Sequence, residues 1–119
     1  LQSFGFRFGV PTESNLVLDV RFLPNPHFVP GLRELTGQNE QVAAFALDNA
    51  LGRAFLDKTI DLLAFLLPEY QREGKSYLTV SIGCTGGRHR SVAVVERLRL
   101  RLKAEGVRLD VAHRDATRK

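Results

Sequence analysis

Apolar and polar positions change period several times along the chain, and each change marks an element. In SFGFRFG, Phe4, Phe6 and Phe8 alternate with small or charged residues, the period of a strand with one buried face. NLVLDVRFL, Asn15 to Leu23, predicts a second, mostly buried strand that runs into the proline-rich loop PNPHFVPG. Pro24 and Pro26, two residues apart, argue against both helix and ladder there. From Glu40 to about Gln71 the spacing becomes helical. Val42, Ala43, Phe45, Ala46 and Leu47 form a short amphipathic piece, and Leu51 to Leu67 a longer one with Pro68 near its end. SYLTVSIG is a short, partly β-branched run, as expected of a central strand in a parallel sheet. Ser91 to Lys103 carries Val94, Val95, Leu98 and Leu102 at helical spacing, with Arg97 and Arg101 four apart on the other side. Gly106 closes that helix, and Val107 to Ala112 predicts a last strand.

Alternating strands and helices predict an α/β fold: a single domain spanning 1–119 with a mostly parallel sheet flanked by helices. Ligands of such sheets bind beyond the C-terminal ends of the strands, the edge on which the proline loop and CTGGRHRS would open. Composition agrees, since 119 residues with 44% hydrophobic and 25% charged side chains are ordinary for one globular domain. The single cysteine cannot close an internal disulfide and fits a reducing, cytoplasmic setting. No run approaches the roughly 18 apolar residues of a membrane span, and no export signal opens the chain, so no membrane partner is expected. A chain that begins at Leu1 and contains no methionine is expected to be a fragment of a longer protein.

A net charge of +4 suits an anionic partner, and eight of the 17 basic residues fall between Arg97 and Lys119. Arg97, Arg101, Lys103, Arg114, Arg118 and Lys119 are therefore candidates for RNA contact.

The sharper signal is CTGGRHRS. Gly86 and Gly87 between a strand and a helix let successive N–H groups converge on one anion, aided by the partial positive charge of the helix N-terminus. Arg88 and Arg90 can add bidentate contacts, and Thr85 and Ser91 hydroxyl donors. The bland alternative is a plain strand-to-helix turn with its arginines in solvent. A rival reading comes from Cys84, Arg90 and Ser91, which fit the C-x5-R-[ST] pattern of cysteine-dependent phosphatases, a helix N-terminus and arginines favouring the thiolate. Against it, Gly83 stands where those enzymes usually carry histidine, and no general acid is identifiable, so Cys84 reads better as a wall of the cradle.

In LDVRFLPNPHF, Asp19 and Arg21 share one strand face, and the stiff loop after them presents Asn25 and His27. Such mixed donors and acceptors suit hydroxyls or an amine beside a phosphate, with a structural Asp19–Arg21 pair as the alternative. GKS at 74–76 matches only the end of a Walker A loop and precedes its strand. HRD at 113–115 matches a kinase catalytic loop but lacks its asparagine. Neither supports ATP chemistry; no metal and no cofactor are expected within these residues.

SFGFRFGVP, LDVRFLPNPHFVPGLRELTG and YLTVSIGCTGGRHRSV together resemble the C-terminal domain of the RapZ family, bacterial P-loop proteins known as nucleotide-binding proteins and RNase adapters. The resemblance covers Ser3 to about Arg114. It implies a fold similar to a phosphofructokinase subdomain, and a longer protein whose N-terminal half would hold the ATP or GTP. For this domain it implies binding of glucosamine-6-phosphate and regulatory small RNA, and presentation of that RNA to RNase E; the missing half and an adapter role add the expectation of self-association. By position, the sugar-phosphate site would draw on His27, Cys84, Thr85, Gly86, Gly87, Arg88, His89, Arg90 and Ser91. Two departures stand out. Arg88 replaces the lysine of enterobacterial members, changing donor geometry, and the tail HRDATRK is short and carries Asp115.

Overall fold

The computed structural model describes residues 1–118. Four strands, β1 (Gln2–Gly5), β2 (Leu16–Asp19), β3 (Val80–Cys84) and β4 (Ala112–His113), form one sheet in the order β2-β3-β1-β4. Every pairing is parallel, with Gly5 opposite Cys84, Asp19 opposite Gly83 and Ser3 opposite His113. All four C-terminal ends therefore reach the same edge.

Three helices complete the α/β domain: α1 (Glu40–Leu47), α2 (Ala50–Arg72) and α3 (Arg90–Ala104). The two helical crossovers, β2 to β3 through α1 and α2 and β3 to β4 through α3, step along the sheet in the same direction, so right-handed paths lay the helices on one face; the β1-to-β2 crossover, without an α-helix, steps the other way. The core lies between them. Val80, Ile82 and Cys84 of β3 meet Val94, Val95, Leu98 and Leu102 of α3, Ala43, Ala46 and Leu47 of α1, and Leu56, Ile60 and Leu63 of α2. On the opposite face Phe4 is fully buried, with the Phe6 ring edge-on at 4.8 Å. Gly83 leaves room for both rings: a Cβ there would come within 2.4 Å of Phe4 and 2.6 Å of Phe6.

Several elements depart from the periodicity. The alternating phenylalanines do not form one strand: β1 stops at Gly5 and Phe6–Phe8 is a 3-10 turn, because Phe6 folds back on Phe4 at the sheet edge. β2 is an edge strand with alternating half-buried and exposed residues, not a mostly buried one. Pro26–Phe28 forms a 3-10 turn, which tolerates proline at its first position because that N–H has no partner in any case. α2 continues past Pro68 to Arg72, where the helix is solvent-exposed and one lost ladder bond is tolerated. The last strand is Ala112–His113 alone, and Val107 to Val111 is irregular. His113 pins this short strand: Nε2 lies 2.7 Å from a Glu96 carboxylate oxygen and Nδ1 is hydrogen-bonded to the fully buried Ser3 hydroxyl (2.7 Å).

Candidate anion-binding site

At the C-terminal edge, β3 delivers the chain into Thr85–His89 and out again as α3. The turn is built by glycine against glycine. Gly87 has φ +81°, and a Cβ on it would lie 2.6 Å from the Gly5 nitrogen. A Cβ on Gly5 would come within 2.5 Å of the Gly86 carbonyl carbon. The end of β1 and the loop thus touch backbone to backbone, an approach only glycine permits. Gly86 faces open space.

The start of α3 differs from the other helix starts. Asn39 caps α1 by accepting from the Gln41 and Val42 N–H groups, and Asn49 caps α2 by accepting from Gly52. His89 occupies the same place before α3 and makes no side-chain cap. Among the described residues, the backbone N–H groups from Gly86 to Val92 have no acceptor within the protein. An uncapped helix start joined to a glycine turn concentrates unsatisfied donors and positive potential at one place.

Arg90 is 5% exposed. Its Nη1 donates to the Arg21 and Leu23 carbonyls (2.5 and 3.3 Å), while its buried Nε has no partner. A desolvated guanidinium N–H without an acceptor is costly unless a ligand supplies one. Cys84 is buried, its sulfur 3.1 Å from the Ser91 hydroxyl, so the outer members of C-x5-R-[ST] meet in space. Thr85 is exposed, and its carbonyl accepts from Arg7 N–H at 3.2 Å.

A strap from the proline loop holds the cradle's other side. His89 Nε2–H donates to the Arg33 carbonyl (3.0 Å), Arg88 Nη2 to the Glu34 carbonyl (3.1 Å), and Gly37 N–H to the Arg88 carbonyl (2.8 Å). Burial lowers the His89 pKa, reinforced by the neighbouring charges of Arg88 and His27 and opposed by hydrogen bonds to Arg33 and Leu35, so the ring favours its neutral form. His27 is exposed, edge-on to Phe28, and lines an open groove of about 380 Å³ with Phe28, Val29, Pro30 and Arg33. Asn25 accepts from His27 N–H (3.1 Å), which fixes the turn. Asp19 and Arg21 form the expected pair at 2.7 Å, with the Arg21 guanidinium 4.1 Å from the Phe6 ring centroid. Arg21's hydrogen bond, aided by the more distant charge of Arg90, holds the Asp19 carboxyl below its ordinary range.

The basic candidates are dispersed. Arg97 pairs with Asp48 (2.9 Å) and Arg101 with Asp57 (2.7 Å), tying α3 to its neighbouring helices. Arg114 and Arg118 both contact buried Asp115. Lys103 is exposed, and Lys119 lies outside the described residues. Gly5, Gly37 and Asp115 are the site-building residues that composition and spacing do not reveal. Gly37 is needed because a Cβ on it would meet the His89 carbonyl at 2.2 Å.

Fold and site together define a parallel α/β domain with a donor-rich strand-to-helix loop at the C-terminal edge of its sheet. The family model described as the RapZ C-terminal domain matches residues 1–117, and the chain belongs to that family. It is 62% identical over 115 residues to a nucleotide-binding protein of Geobacter sulfurreducens, covering 97% of this chain and 40% of that one. Nucleotide-binding proteins of Trichlorobacter lovleyi (58%; 95% of this chain, 40% of the relative) and Syntrophotalea carbinolica (57%; 99% and 41%) are similar. The chain thus spans about two fifths of the length of these bacterial relatives. Among the described residues, no helix is long and apolar enough to cross a membrane.

Proposed function

We propose that this domain is a metabolite-sensing adapter module that holds the phosphate of an amino-sugar phosphate, of the glucosamine-6-phosphate kind, without turning it over. The observation that carries the reading is the pairing of unsatisfied N–H groups from Gly86 to Val92 with the buried, unpartnered Nε of Arg90. Both lack an acceptor, and a phosphate supplies several. Ser91 would add a hydroxyl, Arg88 a second cation at the rim, and His27 a contact to the sugar. Cys84, 3% exposed, would line the cradle.

Regulatory small RNA and an RNase E-type nuclease are the proposed macromolecular partners, within a self-associating cytoplasmic protein. The RNA part rests on charge alone, since all four proposed arginines are engaged in ion pairs. The nucleotide in the relatives' names is assigned, in this reading, to the part of those proteins that the chain does not cover.

Calorimetry with glucosamine-6-phosphate is expected to show saturable binding, lost in Arg90→Ala and strongly weakened in His27→Ala, with no inorganic phosphate released. Absence of binding at millimolar ligand would overturn the reading. The Cys84–Ser91 contact favours one rival, a cysteine phosphatase. Aryl phosphate hydrolysis by the wild type that disappears in Cys84→Ser would put that enzyme in place of the sensor.

A further inference from the structure

Asp115 is the fully buried carboxylate among the described residues, and it lies against the glycine turn from the far end of the sequence. Its Oδ2 accepts the N–H of Gly5, the last residue of β1, at 2.8 Å. Arg114 donates to both carboxylate oxygens (2.8–3.1 Å), and Arg118 Nε lies 3.3 Å from Oδ1. Arg114 also donates to the Gly9 carbonyl at 2.6 Å. The Asp115 Cβ would be only 2.9 Å from a Cβ placed on Gly87. Burial alone would raise the carboxyl's pKa. The Arg114 and Gly5 hydrogen bonds and the two guanidinium charges outweigh that and keep it low, so the group is an anion at neutral pH.

The cluster therefore touches the loop twice: directly at Gly87, and through Gly5, which in turn abuts Gly86. The HRD triplet thereby acquires a use unrelated to kinases. We propose that Asp115 is a positioning residue for the anion loop, clamping the end of β1 and the chain's last turn so that the Gly86–Gly87 turn keeps its donor-presenting form. The proposal rests on the anion-site reading above.

Charge and clamp predict opposite signs. A buried carboxylate beside an anion site repels the ligand, so a purely electrostatic role means that removing it tightens binding. A clamp means that removing it loosens binding, because the donors lose their arrangement.

The test titrates inorganic phosphate into the 119-residue chain as wild type, Asp115→Asn and Asp115→Ala, read by amide chemical shifts at Gly86 and Gly87. Amide hydrogen exchange is followed in parallel. Asp115→Asn retains an acceptor for Gly5 and so guards against loss of the fold. The expected result is phosphate affinity lower by roughly tenfold in Asp115→Ala and by less in Asp115→Asn, the scale of one buried hydrogen bond. The amides bonded to the loop's carbonyls, those of Arg7, Gly37 and Ala93, should exchange faster while that of Leu98 stays protected. Equal or tighter phosphate binding in both variants overturns the proposal. If the wild type binds no phosphate, the anion-site reading fails, and the clamp is then decided by exchange alone: unchanged exchange of these three amides, Arg7, Gly37 and Ala93, in the variants overturns it.

Discussion

Gly86 and Gly87 are neighbours of one type with different duties. Gly87 needs its positive φ and sits against Gly5 and Asp115, whereas a Cβ on Gly86 meets nothing within 4 Å. Gly87→Ala is therefore expected to destabilise the domain by on the order of 2–3 kcal/mol, from backbone strain and overpacking together. Gly86→Ala should leave the melting temperature nearly unchanged yet weaken phosphate binding, because the methyl enters the open side of the turn. Thermal melts and a phosphate titration on both variants check the pair; equal melting losses would contradict the division. Which residue types crowd the loop was legible from CTGGRHRS. Which of them already have partners was not. The Arg90 contacts to Arg21 and Leu23, and the Asp115 contact to Gly5, join residues 67 to 110 positions apart, a separation that no local pattern encodes.

Among the elements, α3 and β3 were legible because their sequences match a period without conflict: buried valines and leucines at helical spacing, and five consecutive buried strand residues. The phenylalanine alternation misleads because aromatic packing, Phe6 on Phe4, overrides strand propensity at the sheet edge. β4 escapes because two residues carry no period; its place is set by Ser3, Glu96 and His113. The caps separate architecture from chemistry in the same way. Asn49 accepts from Gly52 N–H at 2.7 Å, and Asn49→Ala should cost about 1 kcal/mol of stability with phosphate affinity unchanged. Urea denaturation and titration of that variant test both halves, and a coincident loss of affinity would link α2 to the site. α3 has no comparable cap to lose, which is what leaves its first turn free for a ligand.

For the whole molecule, acid works against the fold in two stages. The folded pKa of His89 lies below its ordinary 6.5, so the unfolded chain binds the extra proton first. The His89 contribution is then full above about pH 6.5 and declines as the pH falls toward the folded value, by at most about 1.4 kcal/mol per pH unit. Asp115 and Glu96 are also lowered, from 3.8 and 4.5, so their contributions persist above those values and disappear as the pH falls through the folded ones. Denaturation midpoints measured from pH 8 to pH 5 should fall below about pH 6.5, and His89→Gln should flatten that first decline. A wild-type midpoint constant over this range would refute it.

The strand order also constrains how the chain reaches its native state. β1 is the first strand in sequence, yet it sits inside the sheet between β3 and β4, and the Leu1 carbonyl accepts from Ala112 N–H. When the residues of β1 leave the ribosome neither of its neighbours has yet been made, and the sheet closes only once Ala112–His113 have followed. Such long-range parallel pairing is slow to assemble, and until then β1 has the Phe4 ring and two unpaired edges to protect.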